Sequence, residues 1–188
     1  MPFLDTNLLI SFVFVNDANH TKARKLIEEL RGPLLISPWA LFEIYAVVPR
    51  RIIPEGGFQL PEPLREILDR MPDDEDKLRR SVEVVVSFLK NALPLTLCSD
   101  EESPELGELE EVCISDERIK LLRLHASGMG KAGRVRLKAS DLLHLVYVHA
   151  LSKRGYPPEF ATLDRDFRRK ADLIKQEFGV EILWGEDP

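Results

Sequence analysis

Five carboxylates stand at the ends or heads of apolar segments: Asp5 after Phe3-Leu4, Glu43 within Leu41-Phe42-Glu43-Ile44, Asp141 before Leu142 to Leu151, and Asp164 with Asp166 after Phe160-Ala161-Thr162-Leu163. Taken singly, each has a simple structural role. Asp5 or Thr6 reads as a helix cap, as does Asp164, and Asp141 as a first-turn acid favoured by the helix dipole. Taken together they are harder to account for, because acids in apolar surroundings repel unless something positive lies between them. A set of oxygens with no cysteine or histidine pair beside it suits hard divalent ions, Mg²⁺ or Mn²⁺, one or two of them. Ions held this way commonly serve phosphoryl chemistry, activating a water and stabilising an in-line displacement, so no Ser/His/Asp triad is required.

The elements that must position these acids alternate in type. Phe3-Leu4 is a short buried strand ending at Asp5, followed by a helix over Leu8 to Phe14 and another over His20 to Leu30, stopped by Gly32-Pro33. Leu34-Leu35-Ile36 reads as a buried parallel strand. Ser37-Pro38 then starts a helix over Trp39 to Val48, placing Glu43 roughly 9 Å from the Ser37 cap at ~1.5 Å per residue. Pro49 to Pro63 reads as a long loop, Leu64 to Met71 as a short helix, and Asp73 to Asp76 as the start of a helix striped by Leu78, Val82, Val85 and Leu89. Leu95 to Cys98 is a third strand. Ser99 to Glu111, with seven acids, reads as an exposed acidic loop or loose helix, and Ser115 caps a helix from Asp116 to about Ala126, with Gly128 beyond its end. Leu142 to Leu151 forms the central helix, Phe160 to Leu163 a fourth strand, and a helix through Lys175 leads by Gly179 to a last strand, Val180 to Trp184. Strands alternating with helices imply right-handed crossovers and a parallel sheet. In such a sheet, ligands bind beyond the carboxyl ends of the strands, where Asp5 and Asp164 would lie.

At 188 residues the chain fits one domain, 1–188, and its 44% apolar and 31% charged residues are those of an ordinary globular protein. A net charge of −6 argues against general coating of nucleic acid but not against a local grip on it. No apolar run approaches the ~20 residues needed to span a bilayer, and Met1 leads directly into the first strand, so neither membrane nor signal peptide is expected. Cys98 and Cys113 lack metal-ligand spacing, which points to a reducing, cytoplasmic compartment. Ser127-Gly-Met-Gly-Lys131 lacks the Ser/Thr and the preceding strand of a phosphate loop.

Phe3-Leu4-Asp5-Thr6-Asn7, Ser37-Pro38 with Glu43, Ala139-Ser140-Asp141-Leu142-Leu143-His144, and Ala161-Thr162-Leu163-Asp164-Arg165-Asp166-Phe167 together resemble PIN-domain nucleases, specifically the VapC-like toxin ribonucleases. The resemblance implies a three-layer α/β/α fold around a central parallel sheet of four to five strands. It also implies Mg²⁺- or Mn²⁺-dependent endoribonuclease activity that leaves 5′-phosphate and 3′-hydroxyl ends. By position Asp5 and Asp141 match the main metal ligands, Glu43 the acid that helps hold the metal or its water, Asp164 the fourth acid and Asp166 an additional one. Thr6, Asn7, Ser140 and Thr162 match supporting polar positions. Lys131, Arg134, Arg136, Lys138 and Arg165 are the candidates for RNA-backbone contacts, since phosphate binding needs cations beside an anionic rim. An antitoxin partner and a homodimer are further implications of the resemblance. The regions at about 49–76 and 99–113 look like insertions relative to the small toxins, which leaves an RNA-processing role open beside the toxin role. His144, one turn from Asp141, could approach the site but reads rather as a packed histidine, and Trp39 and Phe167, which could stack on bases, read rather as core or rim packing. Two alternatives are a haloacid-dehalogenase-like phosphatase, which wants an acid where Asn7 stands, and a non-catalytic PIN scaffold, whose natural signature would be a missing acid.

Overall fold

In the computed structural model, which describes residues 1–52, 57, 59–114 and 117–185, the short apolar runs assemble into a five-stranded parallel sheet. Its strands are β1 (Phe3–Leu4), β2 (Leu34–Ile36), β3 (Leu95–Leu97), β6 (Glu159–Thr162) and β7 (Glu181–Trp184), in the order β3-β2-β1-β6-β7. Two-residue β1 sits at the centre, with Phe3 opposite both Leu35 and Phe160. The chain builds outward from β1 on one side through β2 and β3, and on the other through β6 and β7. The switch in direction therefore falls between β1 and β6, where open α/β sheets leave a crevice for ligands.

Alternation along the strands explains the two layers of helices. Leu4, Leu34, Ile36 and Ala161 point to one core, packed by α1 (Thr6–Val13), α2 (His20–Glu29), α3 (Pro38–Ile52), α4 (Glu62–Asp69) and α5 (Asp74–Ala92). Phe3, Leu35 and Phe160 point to the other, packed by α6 (Arg123–Val135), α7 (Ala139–Ser152) and α9 (Ala171–Phe178). Successive strand residues face opposite sides, so a strand buried on both faces must be apolar throughout, as these are. Helix α7 is correspondingly buried almost all round. The final helical segment is divided at Lys170 into α8 (Arg165–Arg169) and α9, and α9 ends on Gly179 at φ +68°, the left-handed backbone that glycine adopts without a Cβ clash.

Three expectations are corrected. Helix α3 does not stop before Pro49 but runs through it to Ile52; the missing donor costs one hydrogen bond, while buried Ile44 and Val48 keep the helix on the sheet. Residues 53–56 and 58 of the expected loop lie outside the described residues. The acidic stretch 99–111 is neither loop nor loose helix throughout: it forms two 3₁₀ turns over 100–107 and then enters β4 (Leu109–Ile114). Nor do residues 117–122 form the expected helix. Ser115 and Asp116 lie outside the described residues, Glu117–Leu122 is strand β5, antiparallel to β4, and α6 starts only at Arg123 and continues through Gly128. Cross-strand pairs Leu109–Leu122, Val112–Ile119 and Glu111–Lys120 match apolar to apolar and acid to base, and this outweighs the helix-start signal.

Candidate active site

The central strands deliver their acids to one edge. Asp5 leaves β1 as the N-cap of α1, its Oδ1 facing the Asn7 backbone N–H at 3.4 Å. Its backbone N–H donates to Ala161 at 2.9 Å, which ties the residue to β6. Its cap role and its place in the site are therefore one placement, not competing ones. Asp5 is only 3% exposed. Burial pushes its carboxyl above the ordinary range, with help from nearby Glu43, and His144 and the Thr162 hydroxyl pull the other way. Asn7 contributes its backbone, while its own side chain belongs to an exposed residue.

Each of three acids is held by a hydroxyl on one oxygen. Thr162 at the end of β6 donates to Asp5 Oδ2 at 2.5 Å. Thr6 donates to Glu43 Oε2 at 2.7 Å, and Ser140 to Asp141 Oδ1 at 3.2 Å. The remaining oxygen of Asp141, Oδ2, is buried and accepts no hydrogen bond among the described residues. Burial and the charge of Asp164 together raise the Asp141 carboxyl. A buried, partnerless carboxylate oxygen beside a second acid is costly unless a cation satisfies both. Anchored carboxylates of this kind offer the oxygen donors that a hard divalent ion takes, Asp5 with Glu43 in one group and Asp141 beside Asp164.

Glu43 projects from the second turn of α3 and meets α7 across the strand ends. His144 Nε2 lies 2.8 Å from Glu43 Oε2 and 3.7 Å from Asp5 Oδ1. Burial opposes ionisation of Glu43, yet the hydrogen bond and charge of His144, together with Thr6, hold its carboxyl below the ordinary range. The Trp39 indole nitrogen also favours the charged form of Glu43 but completes no hydrogen bond. Donor atoms of Asp5, Glu43 and His144 all lie within 4.8 Å of one another, close enough to share an ion.

His144 is thus a buried residue, as expected of the central helix, and also a member of the acidic group. Its type and its helix are local properties, whereas its partner Glu43 lies 101 positions away. Its spacing, one helical turn after Asp141, was the available signal.

The outer acids are arranged differently. Asp164 caps α8 by accepting from the Asp166 N–H at 2.7 Å, and its own N–H donates to Thr162 Oγ1 at 3.0 Å, so Thr162 links Asp5 to Asp164. Asp166 is paired with Arg169, whose hydrogen bond holds its carboxyl low. Among the cations, Lys131 donates to the Glu177 carbonyl and lies over the Phe178 ring at 4.2 Å, and Arg134 pairs with Glu177 at 3.1 Å; both are committed to α9. Arg136 ends α6 in the left-handed conformation at φ 55°, its carbonyl accepting from Lys170. Lys138 and Arg165, by contrast, are exposed at the starts of α7 and α8, beside Asp141 and Asp164.

A doubly covered parallel sheet, with anchored carboxylates at its switch point, defines an α/β protein whose strand-end edge offers the donors of a divalent-cation site. The PIN domain family matches residues 3–173, and the chain belongs to that family, whose members are generally metal-dependent nucleases acting on RNA. No curated protein matches the chain.

Proposed function

We propose that the protein is a Mg²⁺- or Mn²⁺-dependent endoribonuclease, hydrolysing RNA phosphodiester bonds to 5′-phosphate and 3′-hydroxyl ends. The observation that carries this reading is the set of anchored carboxylates, each held by a neighbouring hydroxyl: Asp5 and Glu43 in one donor group, and Asp141, its Oδ2 buried and partnerless among the described residues, beside the charge of Asp164. In this reading Asp5, Asp141 and Asp164 hold one or two ions, Glu43 helps hold the ion or its attacking water, and Asp166, paired with Arg169, is an additional acid at the rim. A bound ion supplies water activation and charge neutralisation at the scissile phosphate. The chain's residues do the rest. Thr162, Thr6 and Ser140 hold the carboxylates in place before an ion arrives, and preorganised donors need no rearrangement during reaction. Lys138 and Arg165, exposed at the rim, draw the RNA backbone towards an otherwise anionic edge. The chain acts as a single PIN-like domain in the cytoplasm, with insertions at about 49–76 and 99–113. Its role is that of a VapC-like toxin, with an antitoxin partner and a homodimeric state, or of an RNA-processing nuclease.

The test is cleavage of a single-stranded RNA in the presence of Mn²⁺. Wild type cuts and stops on chelation; Asp5→Asn and Asp141→Asn lose about two orders of magnitude or more, since outer-sphere partners alone already carry 10–100-fold. Cleavage that survives excess EDTA, or undiminished activity in both variants, overturns the reading.

A further inference from the structure

Asp5, Glu43 and His144 form a compact donor group, which invites the assignment of His144 as a nitrogen ligand to the ion. The hydrogen-bond inventory argues otherwise. An imidazole that gives its Nε2 lone pair to a metal must carry its proton on Nδ1, and metal-bound histidines almost always donate that N–H to a carboxylate, a carbonyl or water. Here His144 is 2% exposed, and Nδ1 is buried with no partner among the described residues. A proton on Nδ1 would be a buried orphan donor. A proton on Nε2 instead has an acceptor 2.8 Å away, Glu43 Oε2, and leaves only a lone pair unpaired on Nδ1.

The other partner of Glu43 leads to the same assignment. Thr6 Oγ1 reaches that same oxygen at 2.7 Å, so Oε2 receives a donor from α1 and another from α7. A glutamate has three side-chain torsions to fix, and a single hydroxyl leaves the carboxylate free to swing about it. Two donors converging on Oε2, one from α1 and one from α7, restrain the group more than one hydroxyl can, and neither takes Oε1, which is left for an ion or its water. We propose that His144 is a positioning residue that donates Nε2–H to Glu43 and does not ligate the metal; this rests on the metal-site reading above.

Mn²⁺ bound to wild type, examined by electron spin echo envelope modulation, tests the assignment without any mutation. The expected spectrum lacks the strong ¹⁴N coupling of a directly bound imidazole. The variants are His144→Gln, which keeps a side-chain N–H donor of similar reach, and His144→Leu, which removes it. Mn²⁺ affinity by calorimetry should stay within about threefold of wild type in the first and fall about tenfold or more in the second, the range seen when a ligand's outer partner is removed. Circular dichroism of the ion-free variants establishes that each is folded. A directly bound ¹⁴N signal that vanishes in His144→Gln overturns the proposal alone, as does wild-type affinity in His144→Leu. Failure of wild type to bind Mn²⁺ at all overturns the metal-site reading, and the proposal with it.

Discussion

Asp141→Asn should make the ion-free protein more stable and the ion-loaded protein less so. In the folded chain Asp141 Oδ1 is satisfied by Ser140, but Oδ2 is buried without a donor and Asp164 adds like charge. An unsatisfied buried polar group costs about 1–3 kcal/mol; because Asp141 is only half-buried, solvent screening argues for the low end, about 1 kcal/mol. An asparagine keeps the acceptor for Ser140 and removes the buried charge that faces Asp164. For a chain of this length, ~1 kcal/mol corresponds to a rise in Tm of about 2–4 °C. The sign with pH follows from the raised carboxyl. Below the unfolded value, near 4, both states are protonated and the wild-type penalty is absent. It grows as pH rises through that value, where the unfolded chain ionises first, and is complete above the folded value. Calorimetric melts at pH 7.5 in EDTA should therefore place Asp141→Asn above wild type, with the gap closing near pH 3.5. Saturating Mn²⁺ should reverse the order, since an ion at 100 times its Kd adds about 2.7 kcal/mol to a protein that binds it. A destabilised variant in EDTA, or a gap that Mn²⁺ leaves unchanged, would refute the reasoning.

Four further substitutions separate the rim from the scaffold. Lys138→Ala and Arg165→Ala should weaken RNA binding uniformly across sequences, each lowering the slope of log affinity against log salt by about 0.7, whereas Lys131→Ala should leave that slope unchanged and lower the melting temperature instead, because its ammonium is spent on α9. Asp17 accepts from Asn19 N–H, Ser11 and Arg51, which together outweigh burial and hold its carboxyl low. Asp17→Asn should cost about 1–2 kcal/mol at pH 7, below the 3–5 of a fully buried broken pair. A lowered carboxyl contributes stability above its unfolded value and loses it as pH falls through the folded one, so the difference from wild type should disappear in strong acid.

The parallel sheet was legible because two-sided burial forces strands such as Leu34-Leu35-Ile36 to be apolar throughout, and Gly and Pro mark where helices stop. The acids were legible because a charge directly after such a strand can only lie at its carboxyl end. What escaped was set by distant partners. Glu117 to Leu122 carries an acid-first helix signal and becomes a strand only because Leu109 to Ile114 lies opposite. Pro49 reads as a stop, yet the burial of Val48 carries α3 past it. His144 looked like one more buried side chain, since nothing local indicates that α3 brings Glu43 to within 2.8 Å of it. Thr6, Thr162 and Ser140 were recognisable as polar support, but which carboxylate oxygen each would hold was not.

The bond from Thr162 to Asp5 closes a loop of 157 residues. A ribosome must synthesise 157 residues beyond Asp5 before Thr162 exists, so β6 can pair with β1 and the hydroxyl arrive only then. Glu43 waits in the same way for α7. A chain cut short before β6 therefore lacks both the strand that pairs with β1 and the hydroxyl that anchors Asp5. Assembly of this edge comes late in synthesis, set by the placement of one threonine.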